Sequence, residues 1–281
     1  MTSPKVLLNA WQLRAKKRFG QNFLRHPSVA ENLVRRAGVA PDDLILEIGA
    51  GLGALTIPLA KSARKVIAVE RDPDLTRLLK TELLAAGISN VVILQRNILD
   101  VDISEMARSE VRQLMVFGNL PYNISSPVLV RLVTERHAVS RAVLMFQKEL
   151  ADRICADPGG KTYGRLSVVI QYCARIEKLL QIKAEDFFPK PKVDSTVLDI
   201  TFLQTPECPS KDETFFFKVV QAAFNQRRKT LKNALAGSFL NVSDAVVRDA
   251  LQRADIDPSR RAETLSVPEF VRLSDHLRPF V

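Results

Sequence analysis

The chain has 281 residues, 46% hydrophobic and 6% aromatic, enough for one large domain plus a small one; no apolar stretch is long enough to span a bilayer. Its 41 Lys and Arg against 31 Asp and Glu give a net charge of +10, and residues 1–30 hold six of those cations and no acid. The imbalance favours a polyanionic partner, because counterions released from phosphates drive such binding. Cys155, Cys173 and Cys208 lie far apart without a CxxC pair, and His26, His137 and His276 are isolated, so neither a disulfide framework nor a metal centre is expected.

The acid-free start "MTSPKVLLNAWQLRAKKRF" has the composition of a mitochondrial transit peptide. It runs straight into residues assigned below to a site, so a cytoplasmic protein is the expectation. Strand-like and helix-like segments then alternate. "DLILEIG" (43–49) enters a Gly-rich turn, and a helix is predicted over about 54–62. "KVIAVE" (65–70), a helix over 73–87 ending at Gly87, "VVILQ" (91–95), "LMVFGN" (114–119) and "AVLMFQ" (142–147) follow. Five near-continuous apolar strands separated by helices predict a parallel sheet covered on both faces. "EKLLQIK" (177–183) and "STVLDITFL" (195–203) extend it, with an antiparallel edge. After "TPECPS" (205–210) only helical periodicity remains, ending in a helix with a capping-box pair, Ser266 and Glu269. The domains are therefore drawn at 1–208, doubly wound α/β, and 209–281, small and helical.

"EIGAGLGAL" sets Gly49-x-Gly51-x-Gly53 between a strand and a helix, where the backbone turns sharply and a ligand approaches closely. Glu70 ends the next strand, 21 residues after Gly49, where a carboxylate accepts both hydroxyls of a ribose. Gly49-x-Gly51-x-x-Ala54 also satisfies the dinucleotide fingerprint, so the loop alone leaves a nicotinamide cofactor open. Asn97, just past the third strand, is placed to hydrogen-bond an adenine edge of either cofactor.

"FGNLPYNISSP" (117–127) ends the fourth strand in a stiff corner at that same crevice. Pro121 fixes its own φ and biases Leu120 away from helix, so the Leu120 carbonyl projects. With Asn119 Oδ1 it makes two acceptors suited to an –NH2 group, and Tyr122 adds a flat face for a ring. An amine on an aromatic ring, held by two acceptors and stacked, describes adenine N6. Two acceptors on its hydrogens favour a pyramidal nitrogen with an available lone pair. The matching electrophile is the sulfonium methyl of S-adenosylmethionine, whose transfer needs positioning more than acid–base groups.

Together with "KKRFGQNFL" (16–24), "FFPKPKVDS" (187–195), "FNQRRKTLKNAL" (224–235) and "RAETLSVPEF" (261–270), these motifs resemble, over almost the whole length, the rRNA adenine N6-dimethyltransferases, nearest the small-subunit branch. The resemblance implies a Rossmann-like class I methyltransferase domain with an all-α C-terminal domain. It implies that Asn22, Leu24, Gly49, Gly51, Glu70, Asn97 and Asn119 hold S-adenosylmethionine without a metal. Phe187 would stack on the target adenine opposite Tyr122. The family usually has Asp where this chain has Asn97, which implies weaker cofactor binding; tighter binding by an Asn97→Asp variant is the check.

A base inside a helix cannot present N6, so the target is unpaired or flipped. Arg227, Arg228, Lys229 and Lys232, within about two helical turns, with Lys16, Lys17, Arg18, Lys190 and Lys192, are expected to grip phosphates. The function implied is dimethylation of two adjacent adenines in a 3′-terminal hairpin of small-subunit rRNA, by a monomer acting on a 30S precursor without a membrane. The rivals are a 23S dimethylase of the antibiotic-resistance type, a nicotinamide dehydrogenase and a non-catalytic ribosome-assembly factor.

Overall fold

A computed structural model describes residues 3–280; Met1, Thr2 and Val281, at the outer ends of the two domains drawn from sequence, lie outside the described residues. Seven strands form one sheet: β1 (Leu44–Ile48), β2 (Lys65–Glu70), β3 (Val91–Gln95), β4 (Leu114–Asn119), β5 (Val139–Gln147), β6 (Ala174–Ile182) and β7 (Ser195–Phe202). Their order is β3-β2-β1-β4-β5-β7-β6. The first five run parallel. β7 lies antiparallel to β5, so the antiparallel element sits inside the sheet with β6 outermost.

β1 is buried along its whole length and β4 up to its last residue, which is why both read as continuous apolar runs. The intervening helices, among them Thr56–Ser62 and Pro73–Ala85, bury Leu59, Leu79 and Leu83 in one core with Ile45, Phe117, Val143 and Met145. The second of these helices stops two residues short of Gly87, whose φ of +66° turns the chain toward β3. The sheet order reverses at β1: the chain steps outward to β3, then returns to the other side of β1 as β4. Such a switch point opens a crevice at the carboxyl ends of the strands. A two-residue antiparallel ribbon, Phe23–Leu24 against Phe187–Phe188, brings the N-terminal segment to the start of the "FFPKPKVDS" motif.

The chain divides into two compact units. One runs to Ala151 and resumes over Ile176–Phe202; the other comprises Asp152–Arg175 and everything from Leu203 on. Residues 152–175, placed in the α/β domain by sequence, thus go with the helical unit. The reason is aromatic packing within that unit: Tyr172, on the helix Arg165–Cys173, stacks on Phe216 at 4.2 Å, and Tyr163 meets Phe224 edge-on at 6.4 Å. The last helix, Val267–Leu277, starts with the expected capping box, Ser266 N donating to Glu269 Oε2 at 2.7 Å. Among the described residues no helix is long and apolar enough to cross a membrane, and no group of three His, Cys, Asp or Glu stands ready for a metal.

Candidate active site

Register assembles the site. Ile48 pairs with Val69 on one side and Gly118 on the other, so Gly49, Glu70 and Asn119 emerge side by side, one residue past three adjacent strand positions. Neighbouring strands lie about 4.8 Å apart, so residues 70 positions apart in sequence become neighbours. A cavity forms over these ends and includes Asn22, Leu24, Gly49, Gly51, Glu70, Asn97, Asn119 and Pro121 in its lining. Every residue expected to hold the cofactor therefore borders one cavity.

The glycine loop is held open by the acid. Glu70 is 8% exposed; its Oε2 accepts from Gly51 N at 2.9 Å and its Oε1 from Asp72 N at 2.8 Å. Burial pushes its carboxyl upward, and those two N–H groups oppose the push by favouring the ionised form. Each oxygen keeps a lone pair for a further donor. Gly51, at φ +56°, has room for no side chain, since a Cβ would come within 3.3 Å of the Phe23 ring. Phe23 thus forms a wall the loop backbone lies against.

At the corner after β4, Asn119 Nδ2 donates to the Asn22 carbonyl at 2.8 Å. That bond assigns the amide: its nitrogen is engaged and Oδ1 has no partner among the described residues. The Leu120 carbonyl likewise accepts no hydrogen bond from a described group, whereas the next carbonyl, Pro121 O, accepts from Ile124 N at 3.0 Å. The Leu120 side chain is buried and outside the cavity lining. Tyr122 is half-buried, its hydroxyl 3.2 Å from Ser195 Oγ at the start of β7.

Phe187 does not join this group. In the two-residue ribbon, side chains alternate between faces. Leu24 and its partner Phe187, 4% and 1% exposed, turn into the core with Met145 and Val197. Phe188, the half-buried neighbour, pairs with Phe23 and lies under the Arg25 guanidinium, 5.8 Å from its ring centroid. The ring expected opposite Tyr122 therefore has no open face.

The expected phosphate-binding cations also part company. Lys16 is engaged by Asp72 at 2.7 Å and Asp74 at 2.8 Å. Lys17, Arg18, Lys190 and Lys192 are exposed. In the helical unit, "QRRKT" is not helix. The helix Glu213–Phe224 ends there, and Thr230, extended at ψ 157°, starts a new one at Leu231. Arg227, Arg228 and Lys229 sit in the turn between them. Arg227 donates to Lys161 O at 2.9 Å and lies 3.7 Å from Glu263, and Lys232 pairs with Asp244 at 3.1 Å. Arg228 and Lys229 project with no side-chain partner among the described residues.

Three contributors carry no motif. Ser195 anchors Tyr122. Arg131 clamps the loop after Asn97, donating to Ile98 O at 2.9 Å and Leu99 O at 2.5 Å, and also to Val101 O, while Glu135 holds its Nε at 2.6 Å. Glu47, on β1, lines the cavity fully buried with Oε2 unpaired; burial, reinforced by the nearby Glu70 charge, pushes its carboxyl up to about 7. An acid in an otherwise apolar strand beside the glycine loop was the one available signal among the three.

A model of the ribosomal RNA adenine dimethylase family matches residues 12–278. The chain is 52% identical over 277 residues to the ribosomal RNA small subunit methyltransferase A of Desulforapulum autotrophicum, covering 99% of this chain and 97% of that protein. A dimethyladenosine transferase from Plasmodium falciparum has a similar structure, TM-score 0.77 at 25% identity, over 89% of this chain and 95% of that one. The 23S rRNA methyltransferase ErmE shares the fold, TM-score 0.68 at 24% identity, over 91% and 99%. With glycine loop, ribose-facing acid and Asn-Leu-Pro-Tyr corner around one cavity, and a family model spanning nearly all of it, the chain belongs to the ribosomal RNA adenine dimethylases.

Proposed function

We propose that the protein uses S-adenosylmethionine to dimethylate N6 of two adjacent adenosines in the 3′-terminal hairpin of 16S rRNA, acting in the cytoplasm as a monomer on a 30S precursor. The observation that carries this reading is the Asn119 amide: its nitrogen is tied to Asn22 O and its oxygen is open beside the Glu70 cavity.

The residues fit the cofactor. Glu70 offers its remaining lone pairs to ribose hydroxyls, Gly49 and Gly51 let the backbone come close, and Asn22, Leu24 and Asn97 complete the lining. Asn97 Oδ1 also caps the turn over Ile98–Asp100 by accepting from Leu99 N at 3.3 Å. When bound, S-adenosylmethionine supplies an electrophilic methyl group on a sulfonium. The chain supplies position: Asn119 Oδ1 and the Leu120 carbonyl accept the N6 hydrogens, Pro121 aims that carbonyl, and Tyr122 stacks on the base with its hydroxyl steadied by Ser195. Phe187 acts from behind, packing the ribbon that carries Phe188 to the rim. Lys17, Arg18, Lys190 and Lys192 on the α/β unit, and Arg228 and Lys229 on the helical unit, contact phosphates.

The small-subunit target is favoured over 23S rRNA because the 52% identical relative is named for the small subunit, whereas the likeness to ErmE is one of fold. Primer extension on unmethylated small subunits tests it. Stops at two adjacent adenosines near the 3′ end of 16S rRNA are expected, and an Asn119→Ala variant should abolish them while still binding subunits. Methylation confined to 23S rRNA, or none at all from the intact protein, overturns the reading.

A further inference from the structure

Residues 11–22 form a strap between the helix Pro4–Ala10 and Phe23, and one buried carboxylate holds it down. Asp72 is 1% exposed. Its Oδ1 accepts from Lys16 Nζ at 2.7 Å and its Oδ2 from Gln21 Nε2 at 2.9 Å. Lys16 Nζ reaches Asp74 as well, at 2.8 Å, and Lys16 N closes a ring by donating to Gln21 Oε1 at 2.7 Å. Asp72 N in turn holds Glu70. Immediately after Gln21 comes Asn22, whose carbonyl engages the Asn119 amide. Just before it, Gly20, at φ +62°, lies so near the catalytic corner that a Cβ there would stand 3.2 Å from Pro121 Cβ. An unbroken run of contacts thus leads from Glu70 through Asp72, Gln21 and Asn22 to Asn119.

We propose that the Asp72–Lys16–Gln21 latch sets the working orientation of the Asn119 amide, making Lys16, Gln21 and Asp72 positioning residues for methyl transfer. The inference rests on Asn119 Oδ1 being the acceptor for the adenine N6 hydrogens. An amide turned over by 180° presents a donor to a donor, which repels the amine instead of shaping it. Nothing on Asn119 itself prevents that turn; the Asn22 carbonyl does, by engaging Nδ2. A main-chain carbonyl stays in place only as well as its strap does, and the latch is what fixes the strap. Lys16 and Asp72 are both outside the cavity lining, so neither acts by touching the cofactor.

The test uses the full-length protein with unmethylated small subunits and tritiated S-adenosylmethionine, far below the melting temperature of each variant. For Lys16→Met, kcat is expected to fall on the order of tenfold to a hundredfold, as for other small misplacements of catalytic groups. Its RNA KM and salt dependence should stay within about twofold, since one phosphate contact would change the salt slope by about one. Asp72→Asn, which keeps an acceptor for the helix cap, should lower kcat similarly, and the double variant no further, because all act through one contact. A rise in RNA KM with kcat retained makes Lys16 a phosphate contact and overturns the proposal. So does a change confined to cofactor affinity, or to melting temperature. In an Asn119→Ala background Lys16→Met should have no further effect on residual kcat. Full activity of Asn119→Ala itself sinks the acceptor reading; loss of activity there with intact Lys16→Met sinks the latch alone.

Discussion

The cofactor cavity and the cationic surface were both visible in the sequence as clusters, but the fold treats them differently. At the cavity, Gly49, Glu70 and Asn119 arrive together because strand register admits no other arrangement: slipping β1 by one residue would turn Glu47 and Ile48 to opposite faces. At the surface, three of nine expected phosphate contacts are bound to groups of the protein itself: Lys16 to Asp72 and Asp74, Arg227 to Lys161 O and Glu263, Lys232 to Asp244. Short side chains at strand ends go where the backbone puts them. Long cationic ones go where a carboxylate is, and sequence spacing does not say where that is.

Phe187 offers the sharpest way to break this comparison, since register and family resemblance assign it different places. If register governs, Phe187→Ala removes a core ring, and stability falls by about 3–5 kcal/mol. Phe188→Ala, at a half-buried ring, should cost clearly less. Chemical denaturation of both variants decides: a Phe187→Ala protein with unchanged midpoint but lost activity would mean that the ring faces the base, against its placement in the core.

Glu47 tests the cavity from within. Its carboxyl is raised from an ordinary 4.5 to about 7 in the folded chain, chiefly by burial. Between those values the folded state holds a proton that the unfolded state has released, so raising the pH favours unfolding. Its contribution is therefore whole below about pH 4.5 and is lost as pH climbs through 7, at about 1.4 kcal/mol per pH unit crossed. In Glu47→Gln that loss disappears. The difference in stability between variant and parent should be flat below pH 4.5 and grow by about 3 kcal/mol toward pH 8; parallel curves would mean that Glu47 is ionised in the folded protein.

How much could be read in advance follows the same division. The five parallel strands, the glycine loop with its acid and the projecting corner were legible because each is local: a strand, its turn and the residue after it lie within ten positions. The partners that complete them were not. Asn22 O is a main-chain atom 97 residues from Asn119, Ser195 is 73 from Tyr122, and no side-chain pattern announces either contact. The alternation that buries Phe187 depends on pairing with Leu24, 163 residues earlier. Residues 152–175 join the helical unit through Tyr163 and Tyr172, whose rings pack on phenylalanines beyond position 210.

The smallest expected effect concerns the turn between the helices Glu213–Phe224 and Leu231–Ala236, where engaged and open cations stand together. Arg228 and Lys229 are open, so replacing both with Gln removes two phosphate contacts and should reduce the salt slope of RNA binding by about two, with cofactor binding intact. Arg227 and Lys232 are already held by groups of the helical unit, and their replacement by Gln should leave the slope nearly unchanged. Exposed pairs of this kind contribute about 0–1 kcal/mol each, so their removal should register, if anywhere, as a slight fall in melting temperature. Measuring RNA affinity across salt for the two double variants separates the classes. Equal slopes would show that RNA competes Arg227 and Lys232 away from Glu263 and Asp244, and that density of charge rather than freedom from partners decides which cations meet phosphate.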